Sequence, residues 1–391
     1  MRSTRSISVI RGTDRGTAFV DAADGSLWYV SLTGSVRCVA SSGVSDVQLG
    51  VAHGVVLFEN GSVGTFFTPE RGSIEPRTYE KRGQFGTGSP GPEPAEALGL
   101  FMTGMTDVIS IAATDYSSLL VDVKGRLWCS GANDHNEFGV TDPRGSYYHT
   151  SEDSFVHTLD GVTAVTAGPT HAFLTLADGE IAFVGQDRAF VGGLSDVATS
   201  TRDAVVRTGL KDVTIVTSEC RSYALRPDNT VLYTGLGYSG RRSSSAPPTY
   251  HCPPARTWRE APGLLVSTLV PYANGEAIAL SPDGEVLICG DTQKWKFDVW
   301  MHDRHHFYPD GNTAQGVALT HDASFLRQED GWFACHPGNP HAGLCVREQG
   351  ERPYKNGYTP ILHPADWEFS SSLREIGLSD IDAARALEAL V

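Results

Sequence analysis

The sequence lacks paired cysteines, long apolar runs and clusters of basic residues. Its seven cysteines are an odd number, lie far apart and form no Cys-x-x-Cys pair. They therefore indicate reduced thiols rather than a disulfide framework or a zinc site. No apolar run approaches the roughly 20 residues that a membrane-spanning helix needs. We predict no membrane insertion and expect a cytoplasmic location, with a cytoskeletal or ciliary assembly as one setting.

The charge balance argues against a nucleic-acid partner. The formal net charge is -15, from 46 acidic and 31 basic residues, and no Lys/Arg run is long enough to form a nucleic-acid-binding arm. An acidic surface repels phosphate backbones unless a basic face is kept separate from it. We predict that the chain binds no nucleic acid.

The common catalytic signatures are also missing. The sequence contains no G-x-S-x-G, no H-E-x-x-H, no phosphate-binding loop and no recognisable motif with paired carboxylates. We therefore predict a protein that is not an enzyme, with no catalytic residues, no cofactor and no metal.

What the sequence does contain is a repeated unit of strand, small-residue corner, strand, two-residue turn and strand. The unit "VTAVTAGPTHAFLTLADGEIAFVG", residues 162–185, has six relatives along the chain. Asp-Gly, Asn-Gly and Asp-Asn pairs tolerate positive φ, so each turn predicts a tight hairpin. The residues that anchor these turns are Gly25, Gly61, Gly125, Gly179, Asn229, Gly284 and Gly331.

Seven hairpins at intervals of roughly 35–65 residues predict small sheets repeated around an axis. Flanking segments such as "AFLTL" and "SLLVDV" are apolar, as expected of strands between neighbouring sheets. We predict an all-β, seven-bladed β-propeller with loop insertions over residues 1–347. A β-sandwich with several hairpins is the alternative, but it does not explain why the same corner precedes each hairpin. Closure of the ring by residues 7–10 or by residues 342–346 stays open.

The corner before the hairpin is the most informative feature. In "AGPTHAFLTLADGE" and "LGVAHGVVLFENGS" a glycine, Gly168 or Gly50, stands three residues before a histidine, His171 or His53. The stretch "RLWCSGANDHNEFG", residues 126–139, adds a strand with Trp-x-x-Gly and a Gly-x-Asn-x-x-x-x-Gly ending. These features resemble the regulator of chromosome condensation (RCC) family of seven-bladed propellers. The repeats are degenerate, because other copies carry different residues at the histidine position: Tyr116, Arg221, Glu276 and Ala323.

An aromatic insertion, "DTQKWKFDVWMHDRHHFYPDG" at residues 291–311, is the leading candidate contact site. Aromatic and arginine side chains dominate the energetics of protein interfaces. The alternative is that these rings fold back over the adjacent sheet. The nearby histidines and Asp303 do not predict a metal, because adjacent His-His in a loop rarely supplies more than two ligands. The predicted partner-binding residues are Trp295, Phe297, Trp300, Arg304, Phe307 and Tyr308.

Two further insertions and the tail are expected to lie outside the repeats. Residues 68–100 and 236–263 are rich in Pro, Gly, Ser and charge and are interpreted as surface loops. The alternative for 68–100 is an arm that reaches a partner, and the alternative for 236–263, where arginines lie among serines and prolines, is a kinase target or a site for an acidic partner. Residues 348–391 form a predicted C-terminal extension. Within it, Ser379 is a plausible N-cap and apolar residues recur at helical spacing, so a helix is predicted near 379–390. This helix packs on its own propeller or docks into another subunit.

Three function classes follow. We favour a non-catalytic protein–protein interaction scaffold or structural subunit of a larger, cytoskeletal or axonemal, assembly, with other proteins as partners. The resemblance implies the alternative, a guanine-nucleotide exchange factor for a small Ras-like GTPase, although the basic chromatin-binding segment of the family's founding member has no equivalent here. The third class is a hydrolase or lyase assembled on the propeller, or an inhibitor that caps another enzyme.

Overall fold

The computed structural model describes most of the chain, and every element in the described part is a β-strand. No helix of the described part has the length and apolar character needed to cross a membrane. The described residues are 7–13, 15–31, 36–68, 82–88, 99–140, 151–187, 189–194, 205–236, 250–252, 254–272, 276–292, 301–320, 323–329, 331–335 and 358–360.

The strands form seven antiparallel sheets, each built from a continuous stretch of chain except for one added strand. Blade 1 contains β1 (Ile7–Thr13), β2 (Gly16–Asp21), β3 (Leu27–Ser31) and β4 (Val36–Ala40). Blade 2 contains β5 (Val44–Leu49), β6 (His53–Phe58), β7 (Val63–Phe67) and β8 (Leu100–Met102). Blade 3 contains β9 (Val108–Ala113), β10 (Ser117–Asp122), β11 (Arg126–Ala132) and β12 (Ser151–Asp160). Blade 4 contains β13 (Val162–Gly168), β14 (His171–Leu176), β15 (Glu180–Gly185) and β16 (Val206–Lys211).

The remaining three sheets complete the ring. Blade 5 contains β17 (Thr214–Thr217), β18 (Ser222–Leu225), β19 (Thr230–Gly235) and β21 (Ala255–Leu265). Blade 6 contains β22 (Thr268–Pro271), β23 (Ala277–Leu280), β24 (Glu285–Thr292) and β25 (Met301–Thr313), and gains β20 (Tyr250–His251) as a fifth strand. Blade 7 contains β26 (Gly316–Leu319), β27 (Ser324–Gln328), β28 (Gly331–Cys335) and β29 (Tyr358–Pro360). The predicted all-β seven-bladed propeller is thereby confirmed.

The ring closes by contact between blades, and none of the described strands is exchanged between blades 1 and 7. The first strands of successive blades lie against one another, and β1 of blade 1 lies against β26 of blade 7. Blade 1 and blade 7 each have four strands of their own. The outer strand of blade 7, β29, lies beyond the boundary predicted at residue 347, because the seventh sheet takes its fourth strand from the extension. Residues 342–346 and 379–390 lie outside the described residues.

The hydrophobic core is distributed over the seven joints between blades. A cluster of buried side chains fills each joint, and both neighbouring sheets contribute to it. At the joint that closes the ring, Phe19 of blade 1 meets Phe325 of blade 7 edge to face, with ring centroids 6.1 Å apart. Strands buried on both sides need apolar residues in succession, which accounts for runs such as Leu27–Ser31.

The two faces of the propeller differ in the length of their connections. One face, here the turn face, carries the hairpin turns between second and third strands and the links between blades. All seven turn anchors have positive φ, from 67° at Gly25 to 138° at Gly331. The other face, here the insertion face, carries the corners and the connections from third to fourth strands. In blades 2 to 7 the connection from the third to the fourth strand is longer than any connection on the turn face.

Candidate interaction face

Three insertions share one backbone motif on the insertion face. In each, a residue with positive φ is followed three positions later by a glycine with positive φ, and the amide of that glycine donates to the carbonyl of the first residue. The N···O distances are 2.9, 3.0 and 3.1 Å. We call these the brace loops: residues 82–88, 133–140 and 189–194. Their paired positions are Gly83 and Gly86, Asn136 and Gly139, and Phe190 and Gly193.

The first brace loop reaches from blade 2 to blade 3. The hydroxyl of Ser118 in blade 3 donates to the Gln84 carbonyl at 2.7 Å. Thr87 forms an antiparallel bridge with Ser154 on β12, the outer strand of blade 3. Gln84 and Phe85 are fully buried. This part of the 68–100 insertion, predicted as a surface loop or as an arm that reaches a partner, is therefore packed between two blades.

The third brace loop makes the same kind of crossing from blade 4 to blade 5. Leu194 bridges to Thr257 on β21, the outer strand of blade 5. The indole of Trp258 donates to the Gly192 carbonyl at 3.0 Å, and the hydroxyl of Thr234 donates to the Phe190 carbonyl at 2.8 Å. The insertion of blade 5 follows the pattern, since its β20 pairs with β25 of blade 6.

These crossings cover the exposed edges of the outer strands. An uncovered strand edge presents free amides and carbonyls that recruit other strands. In the described part of the chain, three insertions pair with the outer strand of the next blade, at the 2–3, 4–5 and 5–6 joints. The first and third brace loops are therefore anchored in one blade by the chain and in the next blade by hydrogen bonds.

Charged groups lie where the first two brace loops meet. Arg82 forms an ion pair with Asp134, and its guanidinium lies 5.1 Å from the centre of the Tyr116 ring. Burial, with smaller effects of the Asp134 and Asp115 carboxylates, raises the pKa of Glu137 to about 8. Glu137 accepts the His135 amide at 2.9 Å. No group of three His, Cys, Asp or Glu side chains in the described part could hold a metal ion.

The corner histidines connect blades instead of facing solvent. His53 and His171 are both fully buried. Nε2 of His53 lies 3.0 Å from the Ser118 hydroxyl of blade 3, and Nε2 of His171 lies 2.7 Å from the Thr217 hydroxyl of blade 5. Desolvation lowers the pKa of each imidazole to about 3. Both rings are therefore neutral and structural.

The strand register corrects one predicted position. His53 pairs with Phe67 and His171 with Gly185, and the equivalent pair in blade 3 is Ser117 with Gly131. The histidine position of that blade is therefore occupied by Ser117, one residue after Tyr116. The corner has the same length in these blades, because Thr114 stands three residues before Ser117 and its amide donates to the Ser117 carbonyl, as the Gly50 amide does to the His53 carbonyl.

The predicted aromatic contact site is only partly described. Phe307 is fully buried between blades 5 and 6, and Tyr308 is buried between blades 6 and 7. These two rings belong to the core, because β25 lies between neighbouring sheets, and they are unavailable to a partner. Arg304 lies on β25, but its side chain is outside the description, as are Trp295, Phe297 and Trp300 entirely.

The brace motif in residues 82–88 was not recognised from the sequence. The signal was present, because Gly83 to Gly86 reads "GQFG" where the second brace loop reads "NEFG". The surrounding Pro- and Gly-rich residues obscured it.

Comparison with known proteins places the fold. No family model matches the chain, and no curated protein is found to be related. Among solved structures, the chain is similar to Prp20p from Saccharomyces cerevisiae, studied for its binding to Gsp1p and histones, with 14% identity over 94% of this chain and 86% of that chain and a TM-score of 0.61. Human WBSCR16 gives 16% identity over 81% and 85% of the two chains and a TM-score of 0.58. Yeast RCC1 (Prp20) bound to Kap60 gives 14% identity over 73% of this chain and 70% of that chain, with a TM-score of 0.55.

At sequence identities this low, the structural similarity establishes the fold alone. The chain has the fold of an RCC1-type seven-bladed propeller, as the corner motif indicated.

Proposed function

We propose that the chain is a non-catalytic protein–protein interaction scaffold, or a structural subunit of a larger cytoplasmic assembly, and that its partner binds the insertion face. The observation that carries the proposal is the concentration of long connections on one face, three of them held by the same brace motif. Loops positioned by a rigid scaffold are where binding residues concentrate. A cytoskeletal or axonemal complex is one setting for such a subunit.

Nucleotide exchange on a small GTPase is the second candidate. It is supported by the similarity to Prp20p, a protein described by its binding to Gsp1p. Because that similarity extends only to the fold, it does not by itself support exchange activity, and exchange is kept as an alternative outcome of the experiment below.

The test is affinity purification of the tagged full chain from its native cell at gentle salt. Val140 on the insertion face and Leu265 on the turn face are both exposed, at 38% and 46%. Val140→Asp places a charge in the proposed interface, and Leu265→Asp is the matched control. We expect a defined set of proteins to be recovered stoichiometrically with the unaltered chain and with Leu265→Asp, and to be lost with Val140→Asp.

Two outcomes would overturn this proposal. Recovery of a GTPase held in its nucleotide-free state would establish the exchange role instead. Partner proteins lost with Leu265→Asp but retained with Val140→Asp would place the interface on the turn face.

A further inference from the structure

The second brace loop contains a carboxyl group that is buried in the joint between blades 3 and 4. Glu137 is only 4% exposed. Its Oε2 accepts the His135 amide at 2.9 Å. The next residue, Phe138, packs in one hydrophobic cluster with Val184 of blade 4, so the loop is held against that blade by apolar contacts. A carboxyl in such surroundings loses its hydration when it ionises, which disfavours the charged form.

The first brace loop makes the same hydrogen bond with a neutral side chain. Gln84 follows the first positive-φ residue of its loop, as Glu137 does in the second loop. Its Oε1 accepts the Arg82 amide, again two residues earlier, at 2.7 Å. The brace therefore needs an oxygen acceptor at this position and no charge. A protonated glutamate has nearly the shape of glutamine and supplies that acceptor, whereas a carboxylate adds a buried charge.

The groups that surround Glu137 also oppose its ionisation. Burial, with smaller effects of Asp134 on its own loop and of Asp115 in the corner of blade 3, raises the pKa of Glu137 to about 8. Arg82 of the first brace loop forms its ion pair with Asp134. Burial, with a smaller effect of the Glu137 carboxylate, raises the pKa of the Cys129 thiol on β11 to about 12, so this thiol carries no charge at neutral pH. Glu137 is therefore neutral at pH 7.

An ionised Glu137 has to regain water, and the second brace loop is the part that can move. The loop is closed on itself by Asn133, whose side chain accepts the Phe138 amide at 3.0 Å and donates to the Val140 carbonyl at 3.3 Å. We propose that Glu137 is a pH-sensitive latch: the second brace loop stays closed while the carboxyl keeps its proton, and it opens when the proton is lost. Opening changes the insertion face around the exposed Val140.

The direction of the pH dependence follows from proton linkage. In the open loop Glu137 is hydrated and titrates at the ordinary value of about 4.3. In the closed loop its pKa is about 8. Between these two values, opening releases one proton, so the equilibrium constant for opening rises about tenfold per pH unit. The closed loop is favoured at low pH.

The test is hydrogen–deuterium exchange of the full chain from about pH 5 to pH 9, with each rate divided by the rate of the unstructured sequence at the same pH. We expect the protection of residues 133–140 to fall about tenfold per pH unit up to about pH 8. Glu137→Gln keeps the acceptor without the acid, so its protection should not change with pH. Glu152→Gln, at an exposed acid on the outer strand of the same blade, is the matched control and should keep the slope.

The first brace loop of the unaltered chain is an internal reference, because Gln84 does not titrate. Its protection should not change over the range in which that of the second loop falls. The proposal is wrong if residues 133–140 show no such fall. It is also wrong if Glu137→Gln retains the slope, since another group, such as His135, would then be responsible. The chain is measured without a partner, so these outcomes are independent of the proposed interaction at the insertion face.

Discussion

At the scale of single residues, His53 and His171 show how the family-like corner is used in this chain. Both imidazoles bridge adjacent blades and are neutral, because desolvation lowers each pKa to about 3. In the unfolded chain a histidine titrates near 6.5. The unfolded state therefore binds more protons than the folded state between pH 6.5 and 3. Stability is complete above pH 6.5 and falls as the pH drops through that window.

We expect His53→Gln with His171→Gln to flatten this acid dependence. Each histidine should lower the free energy of unfolding by about 2 kcal/mol between pH 7 and pH 5, and each substitution should remove its own share. The measurement is urea denaturation of the unaltered chain, the two single variants and the double variant at both pH values. A double variant as acid-sensitive as the unaltered chain would show that other groups cause the effect.

At the scale of strands and loops, the glycine that ends the third strand controls how closely the corner approaches. Gly185 has φ of 96°, and a Cβ built there would lie 2.6 Å from the Thr170 carbonyl oxygen and 2.6 Å from the Cα of His171. Both contacts are with backbone, which cannot move aside cheaply. Gly131, one residue before the end of β11, and Gly235, at the end of β19, have similar φ values of 104° and 106°.

We expect Gly185→Ala to destabilise the protein by roughly 2–4 kcal/mol, because the methyl group adds a steric clash to an unfavourable φ. Gly161→Ala is the control, since Gly161 has φ of 76° but open space around its Cβ position. It should cost only about 1 kcal/mol. Chemical denaturation of both variants measures the difference. Equal losses would mean that backbone conformation alone, and not the close approach, requires the glycine.

The brace loops show why the sequence predicted hairpins better than insertions. A turn such as Asp178-Gly179 depends on two adjacent residues and can be recognised from the local sequence. The role of Phe85 depends on contacts with Thr65 and Phe101, which are remote in the sequence. The same reasoning explains Phe307, whose aromatic surroundings predicted a contact site but whose ring is in the core.

At the scale of the whole molecule, the joint between blades 7 and 1 brings together strands from distant parts of the chain, and none of the described strands is exchanged across it. The joint between blades 7 and 1 relies on a hydrophobic cluster and on the Trp332 indole, which donates to the Ile7 carbonyl at 3.0 Å. Trp332 is 5% exposed. Removal of this donor leaves a buried carbonyl without its bond, which costs free energy that the smaller ring cannot recover.

We expect Trp332→Phe to open the ring at this joint. The free energy of unfolding should fall by roughly 1–2 kcal/mol, and hydrogen exchange should rise about tenfold in β1 and β28. Trp258→Phe is the control, because it loses an equivalent indole bond to Gly192 at the 4–5 joint. Its effect should remain in β21 and the third brace loop. A uniform rise in exchange for Trp332→Phe would exclude local opening at the closing joint.

The sequence by itself determined the number of blades, the hairpin turns and the resemblance to RCC-type repeats, because a tight turn and an apolar strand are properties of a few consecutive residues. Only the tertiary structure decided that blade 7 takes its outer strand from beyond residue 347. It also decided that the long insertions share a face. Strand register, edge covering and closure depend on contacts between residues far apart in the chain, so no local pattern specifies them.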